Sequence, residues 1–325
     1  MLQNFHSTLS VDELLLKADT LALWSYENVA TGSVDNSSSN SSNNVTAPSI
    51  RVAEISGQEC LEVWQLSEDV VAHGVEGNCT WRRSNNFQFI TITAPLTEED
   101  DFEQVTYSVY QQMLNFVEQS PQSELLRFWN YIPHINHGNG DTENYKRFCN
   151  GRLTAFTEHK LLDQQFPAAS AVGHYSNGIT VCALTTSVAP THHANPRQVD
   201  AFDYPRQYGP SSPSFARATT ATVGDKRLCF ISGTASILGH DSVHRGNLRL
   251  QLYTTNDNIL YLLQNTGFTR NDIGTLRVYL RDRADYEECK RIVEELFPNI
   301  LAIYTHADIC RSDLLVEIEC FCISE

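Results

Sequence analysis

The chain has 325 residues, 41% of them hydrophobic, which is about two domains' worth of sequence with enough apolar content for real cores. Its formal charge is −16, from 39 acidic against 23 basic residues. That balance argues against non-specific nucleic-acid binding and against docking on an anionic membrane, because both draw on a surplus of Lys and Arg.

In chain order, residues 32–48 ("GSVDNSSSNSSNNVTAP") are low-complexity and too poor in apolar side chains to offset ordering entropy. They predict a flexible surface loop inside an N-terminal domain spanning 1–200. Alternating apolar residues predict a strand over 87–96. Phe102, Val105, Val109, Met113 and Phe116 recur at helical spacing behind an acidic start, predicting a helix over 99–120. A strand over 123–136 ending at Pro133, a helix over 140–159 and a strand over 178–188 follow. The connector 192–218 carries Pro196, Pro205, Pro210 and Pro213, and its aromatics Phe202, Tyr204, Tyr208 and Phe215 argue for an ordered, functional loop.

The second domain, 201–325, repeats the pattern. Strands are predicted over 227–233, 275–282, 302–309 and 314–324. Helices are predicted over 247–268, with Gly267 as its stop, and over 284–299, closed by Pro298. Strand–helix–strand–helix–strand order in both halves predicts an α+β fold with an internal structural repeat.

No apolar run is long enough for a membrane span, and the N-terminal twenty residues lack the basic-then-apolar order of a secretory signal. Nine cysteines without CxxC spacing suit reduced thiols in a cytoplasmic protein. The N-x-S/T sequons at Asn36, Asn40, Asn44 and Asn78 are therefore discounted as glycan sites.

Two stretches carry chemistry. Glu317 and Glu319 share one face of the last predicted strand, and paired acids on an apolar strand break the local rule in the way functional sites do. The stretch "FISGTASILGHDSVHRGN" (230–247) places His240 and His244 four apart. Gly239 and Gly246 flank them and no glutamate base lies between, so the pair reads as loop hydrogen-bonding groups and no metal site is expected. The Gly233-Thr234-Ala235 turn reads as closing over an organic ligand.

The strand ending at Ser232-Gly233, "TTNDNILYLLQNTGF", "VYLRD", "CRS" (310–312) and "VEIEC" (316–320) together resemble the Rid/YjgF superfamily over about residues 228–323. With "RFWNYIPHIN", "ENYKRFCNGR", "NPRQVDAFDYPRQYGPSSPSFARA" and "FISGTASILGHDSVHRG", the chain from about residue 125 onward resembles the chorismatases, which remove pyruvate from chorismate. The resemblance implies two Rid/YjgF-like (chorismate mutase-like) α/β halves packed as a pseudo-oligomer, with strands covered on one side by helices. It implies chorismate as the small-molecule partner, no cofactor, and a monomer or homotrimer.

By the same resemblance, Glu317 matches the catalytic acid, with Glu319 as the alternative, and Arg311 matches the carboxylate-gripping arginine. Chorismate carries two carboxylates, so a second cation is required: Arg281 and Arg217 are candidates, and Arg277 a weaker one. Tyr208 can add a hydroxyl, and Gly233 and Ala235 line the turn over the substrate. Cys310 resembles the mark of the branch that makes 3-hydroxybenzoate, possibly with 4-hydroxybenzoate. Ala235 resembles the residue of the branch that hydrolyses chorismate to a dihydrodiol and pyruvate. An imine deaminase of the Rid type and a non-catalytic binder of aromatic acids are the other readings. "WNYIP" (129–133) is expected to help shape the pocket, with Asn130 and Tyr131 among its residues.

Overall fold

A computed structural model describes residues 2–7, 14, 17, 19–27, 49–55, 60–68 and 70–325. The low-complexity stretch 32–48 and the sequons at Asn36, Asn40 and Asn44 lie outside the described residues. Three mixed sheets dominate. The first is built from β1 (Leu2–Ser7), β2 (Thr20–Glu27), β3 (Ser49–Ala53) and β4 (Cys60–Leu66), in the order β1-β4-β2-β3. The second has β5 (Ala72–Glu76), β6 (Cys79–Arg83), β7 (Phe87–Pro95), β8 (Glu124–Pro133), β9 (Ala168–His174) and β10 (Gly178–Thr186), in the order β5-β6-β7-β10-β8-β9.

The third sheet joins β11 (Thr191–His193), β12 (Ala218–Val223), β13 (Lys226–Thr234), β16 (Ile273–Leu280), β17 (Leu301–His306) and β18 (Val316–Ser324), in the order β11-β12-β13-β18-β16-β17. A short hairpin, β14 (Ile237–Leu238) and β15 (Asp241–Ser242), stands apart from it. Among the described residues, four longer α-helices accompany the sheets: α1 (Phe102–Glu118), α2 (Asn144–Glu158), α3 (Leu248–Thr266) and α4 (Tyr286–Leu296). No helix among the described residues is long and apolar enough to cross a membrane.

The helix ends follow from local chemistry. The Asp101 carboxylate accepts from the backbone N–H groups of Glu103 and Gln104, capping α1. Asn247 does the same for Leu250 at the start of α3, and Gly267 ends α3 in the left-handed region at φ 72°.

One connectivity recurs in all three sheets. The first strand pairs antiparallel with the last, the last antiparallel with the second, and the second parallel with the third. This holds for β1, β2, β3 and β4, for β7, β8, β9 and β10, and for β13, β16, β17 and β18. The second and third units are the helix-bearing α/β repeats expected from the sequence. The first sheet adds a further set of strands in the same order, within the stretch read as one N-terminal domain.

Packing follows the same plan. Helices α1 and α2 cover one face of the second sheet around Tyr110, Phe128, Phe148 and Phe156. Helices α3 and α4 cover one face of the third around Leu252, Ile259, Val278 and Ile292. The opposite faces of all three sheets meet in a central core containing Trp24, Trp64, Trp129, Tyr131, Phe230, Tyr279 and Phe321.

Candidate active site

A cavity of about 240 Å³ opens where edge strand β9 of the second sheet meets β13 and β18 of the third. Such a junction is where ligand sites tend to form. Hydrogen bonds close the seam behind it: Ala169 N–H donates to Ser232 Oγ at 2.9 Å, Gly233 N–H to Ser170 Oγ at 3.1 Å, and Arg127 Nη1 to the Ile231 carbonyl at 3.2 Å. The rest of the wall comes from α2, the connector, the β14–β15 hairpin and the loop before β18.

Glu317 sits at this seam and is 4% exposed. Strand β13 bulges close to it, with Ile231 facing Cys320 and Thr234 facing Ile318, so that Ser232 and Gly233 oppose the single residue Glu319. The Glu317 carboxyl rests on Gly233: a Cβ there would lie 2.0 Å from Oε1. Burial, then the nearby Glu319 carboxylate, pushes Glu317 up to about 8 against the pull of Arg127 and Arg217. It therefore carries its proton at neutral pH.

Glu319, two residues on and on the same strand face, is its opposite. It accepts from Arg127 Nη2 at 2.6 Å, Trp129 Nε1 at 2.9 Å, Ser170 Oγ at 2.5 Å and the Tyr279 hydroxyl at 3.2 Å, and forms an ion pair with Arg277 Nη1 at 2.8 Å. Burial raises it, but Arg277 and Arg127 outweigh that and hold it below the usual carboxylate range. A carboxylate so fully engaged has no proton to give, and it does not line the cavity.

The cavity gathers Arg311, Arg217, Tyr208, Gly233, Ala235, Cys310 and Glu317. Arg311 stacks on the rings of Tyr208 and Tyr204, 4.0 and 5.0 Å from their centroids, and donates from Nη1 to the His240 carbonyl at 2.8 Å. Its Nη2 is buried without a hydrogen-bond partner. Arg217 donates from Nη2 to the Val199 carbonyl at 2.7 Å and the Tyr204 hydroxyl at 2.8 Å, leaving a buried, unbonded Nε. Cys310 presents a thiol that burial pushes up to about 12, so it is neutral.

Other expected residues stand elsewhere. Arg281 lies outside the cavity wall. Its guanidinium is used up on the carbonyls of Leu314, Ile309 and Arg311, on Asn136 Oδ1 and on the Asp308 carboxylate. It shapes the loop that carries Cys310 and Arg311. Arg277 is likewise spent, between Glu62 and Glu319. The Tyr208 hydroxyl turns to His240 Nδ1 and Asp241 Oδ1, so Tyr208 offers the cavity its ring, as a platform for Arg311.

His240 and His244 sit in and just after the hairpin, not on a helix. No group of three or more His, Cys, Asp and Glu among the described residues is placed to hold a metal. Trp129, Asn130 and Tyr131 brace the seam from behind: Asn130 Nδ2 donates to the Ser170 carbonyl at 2.8 Å, and the Trp24 indole donates to the Tyr131 hydroxyl at 2.7 Å.

Sequence reasoning missed Arg152. It is 1% exposed on α2, lines the cavity, and leaves Nε and Nη2 without partners. The signal was available, since Phe148, Cys149, Arg152, Ala155 and Phe156 form one buried helical stripe with a charge at its centre. An unpaired buried guanidinium is costly unless a ligand completes it. Three arginines with free N–H groups thus converge on a cavity whose acid is neutral. That arrangement can hold a dianion and deliver one proton.

Comparison with known proteins agrees with this geometry. Residues 62–185 match the model of the N-terminal domain of FkbO/Hyg5-like chorismatases, and residues 211–324 match the Endoribonuclease L-PSP model. The chain is similar to a 3-hydroxybenzoate synthase of Streptomyces hygroscopicus, at 35% identity over 79% of this chain and 80% of that one. It is also similar to a chorismatase of Streptomyces hygroscopicus, at 32% identity over 79% of this chain and 78% of the other. A chorismatase crystal structure superposes with a TM-score of 0.87 at 28% identity, covering 99% of this chain and 98% of the other. With its relatives, its whole-chain fold and its helix-bearing repeats in agreement, the chain belongs to the chorismatase family.

Proposed function

We propose that the protein converts chorismate to 3-hydroxybenzoate and pyruvate, and that Glu317 is the acid that starts the reaction. The observation that carries this reading is a buried carboxyl held protonated to about pH 8 beside three arginines with unbonded N–H groups. Arg311, Arg217 and Arg152 would grip the two substrate carboxylates, and their fork geometry suits that task.

The Glu317 proton goes to the terminal methylene carbon of the enolpyruvyl group, leaving an oxocarbenium ion on the ether carbon. The substrate's own 4-hydroxyl then displaces that oxygen at C3, and the C3–O electron pair leaves with pyruvate. The 4-hydroxyl proton returns to the Glu317 carboxylate. The resulting 3,4-epoxide opens at C4 and loses a ring proton, giving 3-hydroxybenzoate. No water is consumed, so the protein contributes positioning and one proton. The neutral Cys310 thiol at the cavity wall supports this route, because a thiol offers an attacking water only weak hydrogen bonding.

Ala235, 3% exposed and at the cavity wall, favours a second reading in which water enters and the product is the dihydrodiol. A cytoplasmic enzyme belongs to the same proposal: the eight cysteines whose side chains are described are free thiols.

Incubating chelator-treated protein with chorismate, with Glu317→Gln alongside, tests both readings. Equimolar pyruvate and 3-hydroxybenzoate, lost in the variant, is the expected outcome. A diol with pyruvate selects the hydrolytic reading. No pyruvate from folded protein rejects the function.

A further inference from the structure

Glu319 lies two residues from the acid on the same strand face, yet it does not line the cavity. We propose that Glu319 is a positioning residue: it fixes the seam on which Glu317 rests and keeps an ionised carboxylate two residues away on the same strand face. This rests on Glu317 being the acid.

Two routes connect the pair. The first is mechanical. Ser170 Oγ donates to Glu319 Oε2 at 2.5 Å and accepts from Gly233 N–H at 3.1 Å, and it also meets Arg127 Nη2. Gly233 is the residue against which the Glu317 carboxyl lies. Glu319 thus holds Ser170, Ser170 holds Gly233, and Gly233 sets the place of the acid. The second is electrostatic: a fixed negative charge in a dry seam disfavours ionisation of its neighbour. The other charged or titratable groups around Glu317 are Arg127 on β8, Arg152 on α2, Arg217 in the connector, Cys310 and Arg311 in the loop before β18, and Tyr279 opposite it on β16.

The competing view is that Glu319 merely balances buried arginines where the sheets meet, as Glu62 does. Glu62 accepts from Arg277 Nη2 at 2.7 Å, and it is the register counterpart of Glu319 in the first sheet: Trp24 faces Glu62 as Arg277 faces Glu319. Glu62→Gln and Glu319→Gln each take one carboxylate from Arg277, so they make matched variants that differ in distance from the acid.

The experiment is the pH profile of kcat/KM for chorismate, read as pyruvate release, in the parent, Glu319→Gln and Glu62→Gln. The parent rate should fall above about pH 8 as Glu317 loses its proton. In Glu319→Gln that limb should move down by about one pH unit, while in Glu62→Gln it stays, whatever either variant does to Tm. An unmoved limb in Glu319→Gln, or an equal shift in Glu62→Gln, would overturn the proposal. Glu319→Asp retains the charge but loosens Ser170, so kcat should fall about tenfold with the limb in place. An unchanged kcat there overturns the mechanical route, and this variant serves if Glu319→Gln does not fold. A parent without a basic limb, or turnover surviving in Glu317→Gln, fails the acid reading itself and is distinct from both outcomes.

Discussion

Gly233→Ala is the smallest change that should disable this enzyme without touching an ionisable group. An alanine Cβ at 233 would lie 2.0 Å from Glu317 Oε1 and 2.6 Å from its carboxyl carbon, where ordinary contact begins at 3.4 Å. The carboxyl must therefore retreat by about 1.4 Å, the difference between those contacts. Ser170 Oγ, 3.1 Å from the same Cβ position, would be crowded as well. A displacement of this size in a proton donor costs roughly a hundredfold in rate, or about 2.7 kcal/mol in the barrier. Gly233 does not have a positive φ, so the backbone itself tolerates alanine and the fold should survive. Steady-state pyruvate release, with Tm measured in parallel, gives the answer. A variant within about threefold of the parent in kcat would refute the placement of Glu317 against the Gly233 backbone.

Cys310→Ala should leave pyruvate release largely intact while opening room at the cavity wall for water, so the diol should rise at the expense of 3-hydroxybenzoate by product chromatography. Arg152→Met removes two unbonded buried N–H groups, so it should raise KM for chorismate by about ten- to a hundredfold with Tm unchanged or higher. Glu317→Gln should be inactive yet more stable than the parent at pH 8. The folded carboxyl keeps its proton to about 8 and the unfolded one loses it near 4.5, so the parent loses stability as pH rises between those values. The gap should reach a few kcal/mol at pH 8 and close below pH 4.5 in denaturant titrations.

What the sequence discloses here depends on whether a signal is local. Helix α1 was legible because its apolar stripe and acidic cap lie within one segment, and Gly267 because a left-handed helix end needs glycine. Glu317 stood out because a charge on an apolar strand contradicts its surroundings. Strand β9 went unread: "AASAVGH" has Val172 as its one branched residue and no Phe, Tyr or Trp, and other elements pack closely against it. At Gly173 a Cβ would lie 2.7 Å from Asp308 Cβ. The β5–β6 hairpin did carry a signal, a two-residue Gly77-Asn78 turn with Gly77 at φ 61°, and it was overlooked.

The arginines could not be sorted from sequence at all. Arg277 lies on β16 and Arg281 one residue beyond its end, but what occupies each is set by partners 215 and 27 residues away. Sequence offers candidates, and only the tertiary fold shows which guanidinium is still free.

The three sheets also explain why one site, and not three, is built here. Matching strand registers aligns Tyr279, Tyr131 and Tyr26, which face Glu317, Thr180 and Cys60 respectively. Two residues away, Arg277, Trp129 and Trp24 face Glu319, Cys182 and Glu62. Only the third unit has an acid at the outer position. At the inner position, three identical glutamates around one centre would leave a threefold negative charge in a dry core, which no packing offsets. A single chain can vary each copy. It puts Arg277 between Glu62 and Glu319, stacks that guanidinium 4.7 Å from the Trp24 ring, and fills the remaining space with Trp64 and Trp129. The surroundings of Glu317 are thus assembled from all three sheets. The third supplies the acid and Glu319. The second supplies Arg127 and Ser170. The first supplies Glu62, which shares Arg277 with Glu319.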